Sequence, residues 1–493
     1  MLFKQKWLVV PLSALLVIVT LVFAAAPVQN TVTAGVDNAY YGKKAKYVFF
    51  FIGDGMSMTQ INSSEIFKGT LNGNDPMNRG KLNFTVFPHM GMQATHSANT
   101  FITESAAAGT ALATGHKTNN DILGMDATKT IKFKSMAEMA KEKGMKVGIV
   151  SSVSIDHATP GAFYAHESSR KNLYEIGISL ANSGFDYFGG GGFLQPTGKS
   201  KDQPHVLDIA KQKGYNVVNS KEDLYKLNKN SGKTIAIDPA LAAESAMAYD
   251  IDRVNQLSLA DFTRKGIEVL DNPNGFFFMV EGGKIDWACH ANDAATTIRD
   301  VLSFEASIQE ALNFYAKHPD ETLIVVTGDH ETGGMSIGFA GTEYQTFFNK
   351  INKQTLSFED FDKQIKAYRD TTAPADAKLD DWLPILADKF GLTELTEFDQ
   401  ARLSNALAAS MADPKKRNKD PQSYLMYGSY EPFSVTATHI LNQKAGIGWT
   451  TYAHTGVAVP VFAQGVGGES FQGYYDNTDV AKKLMGIMGV QFQ

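Results

Sequence analysis

The sequence predicts an α/β sandwich carried by a largely parallel sheet. Three short, continuous apolar runs, 46–52, 275–280 and 322–327, read as strands buried on both faces. Each runs into glycine and an acid: Gly53-Asp54-Gly55, Glu281-Gly282-Gly283 and Gly328-Asp329-His330. Between and around them, helical and strand patterns alternate, the arrangement that covers a parallel sheet with helices. Open α/β sheets gather their chemistry at the C-terminal ends of the strands, where these acids fall.

Composition sets the limits. With 493 residues, 43% hydrophobic and 20% charged, the chain has the make-up of a globular protein with a large core. Its net charge of -6 excludes a broad nucleic-acid-binding face. The single cysteine, Cys289, rules out an intramolecular disulfide and reads as a small buried residue. Lys4 and Lys6 precede an apolar run at 7–23 and three alanines before Pro27. Residues 1–26 therefore read as a signal peptide or an uncleaved anchor, and 27–45 as a polar tail. Export to the periplasm or the medium is expected, with no membrane association unless the leader is retained.

Along the chain, a helix is expected at 56–68 and a Gly/Asn-rich loop at 69–80. Phe101 to Gly115 contains a helical run of small residues that begins at Ser105, where free helix N–H groups favour an anion. Ser135 and Glu138 form a capping box for a helix that Gly144 ends, before a strand at 146–150. Helices follow at 172–182, 206–213 and 258–271, and strands at 185–188 and 215–218. A long helix is expected at 293–317. Residues 341–447 read as an insertion with amphipathic helices at 357–368, 381–390 and 396–411, shaping the site entrance or a subunit contact. The core resumes with a strand at 457–463 and a helix at 479–488.

Asp54, Glu281 and Asp329 at one sheet edge repel one another unless cations compensate them, which points to metal. Asp286 and His290 are four residues apart and share one face of a helical turn. Asp329-His330 and His454 add carboxylate and imidazole without thiolate, a donor set suited to catalytic zinc. Asp54, Thr159 and Glu281 offer oxygen only, which suits magnesium. Arg170 has the fork to grip two phosphoryl oxygens.

The ordered segments Gly53-Asp-Gly-Met, Thr103-Glu-Ser-Ala-Ala-Ala-Gly, His157-Ala-Thr-Pro, Ala165-His to Arg170, Val280-Glu-Gly to His290, Thr327-Gly-Asp-His and Ala453-His-Thr-Gly resemble the motif series of alkaline phosphatases. They span about 46 to 490. The resemblance implies a three-layer α/β/α sandwich on a ten-stranded, mostly parallel sheet, a homodimer, and two zinc ions and one magnesium ion per subunit. It implies hydrolysis of phosphate monoesters through a phosphoseryl intermediate, with Ser105 as nucleophile and Arg170 on the phosphate. It implies Asp286, His290 and His454 as ligands of one zinc, Asp54, Asp329 and His330 of the other, and Asp54, Thr159 and Glu281 of magnesium. His157 and Trp287, near the phosphate, replace the aspartate and lysine of the enterobacterial pattern and are similar to marine, cold-active members. Glu104 stands where an aspartate is usual. A sulfatase is disfavoured because Ala106-Ala107-Ala108 follow Ser105, and Arg170 favours monoesters over diesters.

Overall fold

The computed structural model describes residues 44–71, 77–415, 417 and 420–492. The expected signal peptide at 1–26, and the polar tail up to residue 43, lie outside them. The strands are β1 (Tyr47–Gly53), β2 (His89–Ala94), β3 (Lys146–Ser151), β4 (Tyr187–Gly190), β5 (Asn216–Val218), β6 (Thr234–Ile237), β7 (Phe276–Glu281), β8 (Thr322–Gly328), β9 (Glu331–Thr332), β10 (Ser336–Ile337), β11 (Ile447–Gly448), β12 (His454–Thr455), β13 (Val459–Gly465) and β14 (Gly473–Asp476). Ten of them form one sheet in the order β14-β2-β13-β8-β1-β7-β3-β4-β6-β5. Only β13 runs antiparallel to its neighbours, β8 and β2; the other pairings are parallel.

The period-two alternation of β1 explains the layers. Val48, Phe50 and Ile52 enter one apolar cluster, with Ala106 and Leu112 of the helix Ser105–Thr114. Tyr47, Phe49 and Phe51 enter the opposite cluster, with Phe304 and Ile308 of the helix Ala294–Tyr315. Helices thus cover both faces of the sheet, as the alternation predicts. A third cluster joins Phe361, Trp382, Leu403 and Phe433 to Phe67, Ala294 and Ile298, so the helices of 348–445 pack on the outer side of one helical layer.

Most predicted elements are present with shifted ends. The helix expected at 56–68 spans Met58–Leu71, the capping box expected at Ser135 is formed, and Ser258 forms one with Asp261. The sequence reading missed β2, β6 and β14. β2 is half-buried and interrupted by Gly91, β6 has four residues, and β14 is a partly exposed edge, so none offers a long apolar run. No helix among the described residues is long and apolar enough to cross a membrane.

Candidate active site

Strand register brings the acids together. Ile52 of β1 pairs with Glu281 of β7, and Gly53 pairs with Gly328 of β8. Asp54 and Asp329 therefore leave adjacent strands side by side, with Glu281 on the other flank. The junction is tight: a Cβ on Gly328 would lie 2.1 Å from the Met56 carbonyl oxygen. Gly55, with φ of 72°, turns its N–H onto Asp329 Oδ1 at 3.2 Å.

Among the described residues, three groups have their ligand-type atoms within 4.8 Å of one another: Asp286, His290 and His454; Asp54, Asp329 and His330; and Asp54, His157 and Glu281. The short helix Lys284–His290 supplies the i, i+4 pair. His454 arrives on β12, which pairs with β9. Buried Glu331 fastens that pairing by accepting from Thr455 Oγ1, Gly334 N–H and, at 2.8 Å, Gln60 Nε2. Carbonyl oxygens of Tyr452 and Thr103 accept from Nδ1 of His290 (2.6 Å) and His454 (2.8 Å). Both rings thereby turn Nε2 inward, the orientation a metal ligand needs.

The chemistry of this cluster suits cations. Asp54 and Asp329 are fully buried, yet both oxygens of Asp54 and Oδ2 of Asp329 make no hydrogen bond among the described residues. The same is true of Glu281 Oε1 and Thr159 Oγ1. Burial, then Asp329, Asp286 and Glu281, push Asp54 well above the usual carboxylate range. Burial and the same crowding push Asp329 up to about 8, and burial pushes Glu281 up to about 7. Against its own burial, Asp286 pulls the His290 imidazole up to about 9, so positive charge is favoured beside His454 as well. Ionised acids without partners are costly in a protein interior, and bound metal removes that cost. The unpartnered oxygens are those expected of metal ligands.

Ser105 opens the helix Ser105–Thr114 and is 2% exposed. Its Oγ lies 3.4 Å from His330 Nε2. The N-cap is Glu104 rather than Ser105, which leaves the serine hydroxyl free of capping. Glu104 accepts from the N–H groups of Ala106 (3.0 Å), Ala107 (2.9 Å) and Asp121 (2.9 Å). It also accepts from Arg170 Nη1 at 2.5 Å. Despite burial, Arg170 and those N–H groups hold Glu104 below the usual range, ionised. Arg170 Nη2 donates to His157 Nε2 at 3.0 Å. Burial and the guanidinium hold His157 down to about 3, so it is the neutral acceptor this bond requires.

These groups open onto a cleft of about 410 Å³, which Ser105, His157, Arg170, Asp286, Trp287, His290 and His454 help to line. The sequence reading missed its other lining residues, among them Tyr249, Phe358, Glu359 and Tyr430. Phe358 and Glu359 begin the helix Phe358–Thr371, whose amphipathic pattern was visible but whose position over the site was not. His166, by contrast, is satisfied by the Gly124 carbonyl and Glu138, and Cys289 is buried.

The sequence profile of the family described as alkaline phosphatase matches residues 45–490. Alkaline phosphatase 4 of Bacillus subtilis is 33% identical over 98% of this chain and 97% of its own. The cold-active alkaline phosphatase of a psychrophilic Shewanella superposes with a TM-score of 0.74 at 30% identity, covering 90% of this chain and 99% of that one. The alkaline phosphatase of the Antarctic bacterium TAB5 gives 0.62 at 26% identity, covering 91% and 99%. A variant of that enzyme with one histidine replaced by glutamate has Mg bound in its M3 site. The chain belongs to the alkaline phosphatase family and is a metal-dependent phosphate monoester hydrolase.

Proposed function

We propose that this chain hydrolyses phosphate monoesters by transferring the phosphoryl group to Ser105 Oγ and then to water. The observation that carries this reading is the placement of a buried serine hydroxyl that caps no helix, 3.4 Å from His330 Nε2, in the same cluster as both Asp54 oxygens and Asp329 Oδ2, which make no hydrogen bond among the described residues. Asp54, Asp329 and His330 hold one zinc in this reading, and Asp286, His290 and His454 the other. Asp54, Thr159 and Glu281 hold magnesium. Bound metal supplies Lewis acidity, lowering the barrier to deprotonating Ser105 and the attacking water and stabilising the leaving oxygen.

The chain's own groups supply the rest. Ser105 stands at the N-terminus of its helix, where the Ala106 and Ala107 N–H groups are taken by Glu104, so the helix holds the serine in place and Arg170 is left to bind the phosphoryl oxygens. Arg170 grips those oxygens, and Glu104 and His157 fix its two Nη atoms from either side. Because Glu104 also caps the Ser105 helix, one carboxylate sets nucleophile and phosphate clamp in common register. His157 stands beside Asp54 and Glu281, with its one acceptor nitrogen taken by Arg170. A neutral ring adds no negative charge where the enterobacterial pattern has a carboxylate, so His157 weakens the hold of this third group on magnesium. The TAB5 variant with glutamate in place of a histidine and Mg in its M3 site fits that reading. We assign the protein to export and to a homodimer, and residues 341–447 to an insertion in the catalytic domain.

Hydrolysis of p-nitrophenyl phosphate at mildly alkaline pH, with acid-quenched turnover mixtures searched for phosphoserine, tests the assignment. Phosphate on Ser105, and loss of turnover on chelation and in Ser105→Ala, is the expected result. A chelated protein that keeps full turnover, or phosphate trapped elsewhere, contradicts it.

A further inference from the structure

The residues lining the cleft divide by chemistry. Ser105, Arg170, Asp286, His290 and His454 are suited to the phosphoryl group, but the same cleft is also lined by Tyr249, Trp287, Phe358 and Tyr430. These rings form a continuous wall. Tyr249 and Phe358 meet edge to face at 5.7 Å between centroids, and Phe358 and Tyr430 at 5.8 Å and 87°. Lys284, fully buried, ties the first part together, with Nζ 3.5 Å from the Tyr249 ring centroid, 4.8 Å from that of Trp287 and 3.4 Å from Glu359 Oε2. A wall held in this way is formed before any ligand arrives, so little ordering cost falls on binding.

The wall also carries a polar group able to meet an oxygen or nitrogen substituent on a bound ring. Tyr249 is 1% exposed and lines the cleft, yet its hydroxyl makes no hydrogen bond among the described residues. A buried hydroxyl without a partner carries a desolvation cost. Burial raises this phenol well above its usual value, so it stays protonated and available as a donor.

We infer that the cleft carries a second subsite, for a planar aromatic group on the alcohol side of the ester, walled by Tyr249, Trp287, Phe358 and Tyr430. The inference rests on the proposed assignment of Ser105 and Arg170 to the phosphoryl group. Phenyl and benzyl esters place a ring against this wall, whereas a small alkyl alcohol leaves it wet. Aromatic contact of this kind corresponds to about tenfold in affinity. Two of the four rings, Phe358 and Tyr430, come from the region 341–447, which thereby gains a role in substrate choice.

The test compares inhibition of the metal-replete enzyme by benzylphosphonate and methylphosphonate, which share the phosphoryl end and cannot be hydrolysed. The ratio of their inhibition constants is read within each protein, so a general loss of binding cancels. The wild-type enzyme is expected to prefer benzylphosphonate by about tenfold, and Phe358→Ala to reduce that preference to about twofold. Where Phe358→Ala does not fold, Phe358→Leu against the wild type and Tyr430→Leu against Tyr430→Phe carry the same expectation, since each comparison keeps apolar volume and loses only the ring. Equal inhibition in the wild type, or a preference unchanged across these comparisons, overturns the subsite. An enzyme that hydrolyses neither phenyl nor methyl phosphate removes the phosphatase reading and the subsite with it. One that hydrolyses both without a benzyl preference removes the subsite alone.

Discussion

Two regions of this molecule bury carboxylates and treat them in opposite ways. Among the helices of 348–445, Glu431 accepts from Arg369 Nη1 at 3.1 Å through one oxygen and from Arg417 Nη1 through the other. Both arginines also donate to the Ser410 carbonyl oxygen. At the sheet edge, Asp54, Asp329 and Glu281 are buried more deeply, yet four of their six oxygens have no hydrogen bond among the described residues. A paired buried carboxylate fixes one helix against another. Unpaired carboxylates gathered at one point mark a site held ready for cations, and stability is given up there for chemistry.

The comparison is broken most severely at Ser105. Ser105→Ala is expected to lower kcat by about 10³-fold or more while leaving the fold intact, checked by p-nitrophenyl phosphate hydrolysis and circular dichroism. Glu431→Gln is the mirror case. It leaves two half-buried arginines short of their counter-charge, and unfolding in urea should show a loss of about 2 kcal/mol with kcat close to wild type. If Glu431→Gln instead lowers kcat at unchanged stability, the division between the two regions is wrong.

Glu104 lies between the extremes, because it is paired and also serves the site. Glu104→Gln keeps the cap acceptor but removes the charge facing Arg170. A fall of about tenfold in kcat/KM is expected, with a smaller change in thermal stability. The smallest effect concerns the metal-free protein between pH 7 and 8. Folded Glu281 and Asp329 keep protons up to about 7 and about 8, whereas the unfolded chain has already released them. The folded state therefore binds more protons, and stability falls as pH rises through this window. His290, raised to about 9, acts in the same direction. Tm of the chelated protein at the two pH values checks the sign; excess zinc should reverse it, since binding needs those protons gone.

The sheet and the acids were legible because buried parallel strands announce themselves as continuous apolar runs, and the residue after each run must sit at the strand end. The i, i+4 pair Asp286 and His290 was legible for the same local reason. The union of His454 with them was not local: it depends on the pairing of β9 and β12 and on Glu331 beneath. Ordered motif resemblance, not spacing, assigned that histidine. The capping role of Glu104 escaped because its partners there are backbone N–H groups, whereas its bearing on the orientation of Arg170 follows from its place before Ser105. The aromatic wall escaped because Tyr249 lies in a stretch of turns and Phe358 reads as one more apolar helix position. Both gain meaning only where the fold juxtaposes them.

The metal content of the purified protein, measured per folded chain in the wild type and in Asp329→Asn, tests the central claim most directly. Unpartnered carboxylates serving as ligands predict two zinc ions and one magnesium ion in the wild type, with at least one zinc lost from Asp329→Asn. A wild-type protein that is folded and fully active without bound metal, or an Asp329→Asn protein with undiminished zinc, would contradict it.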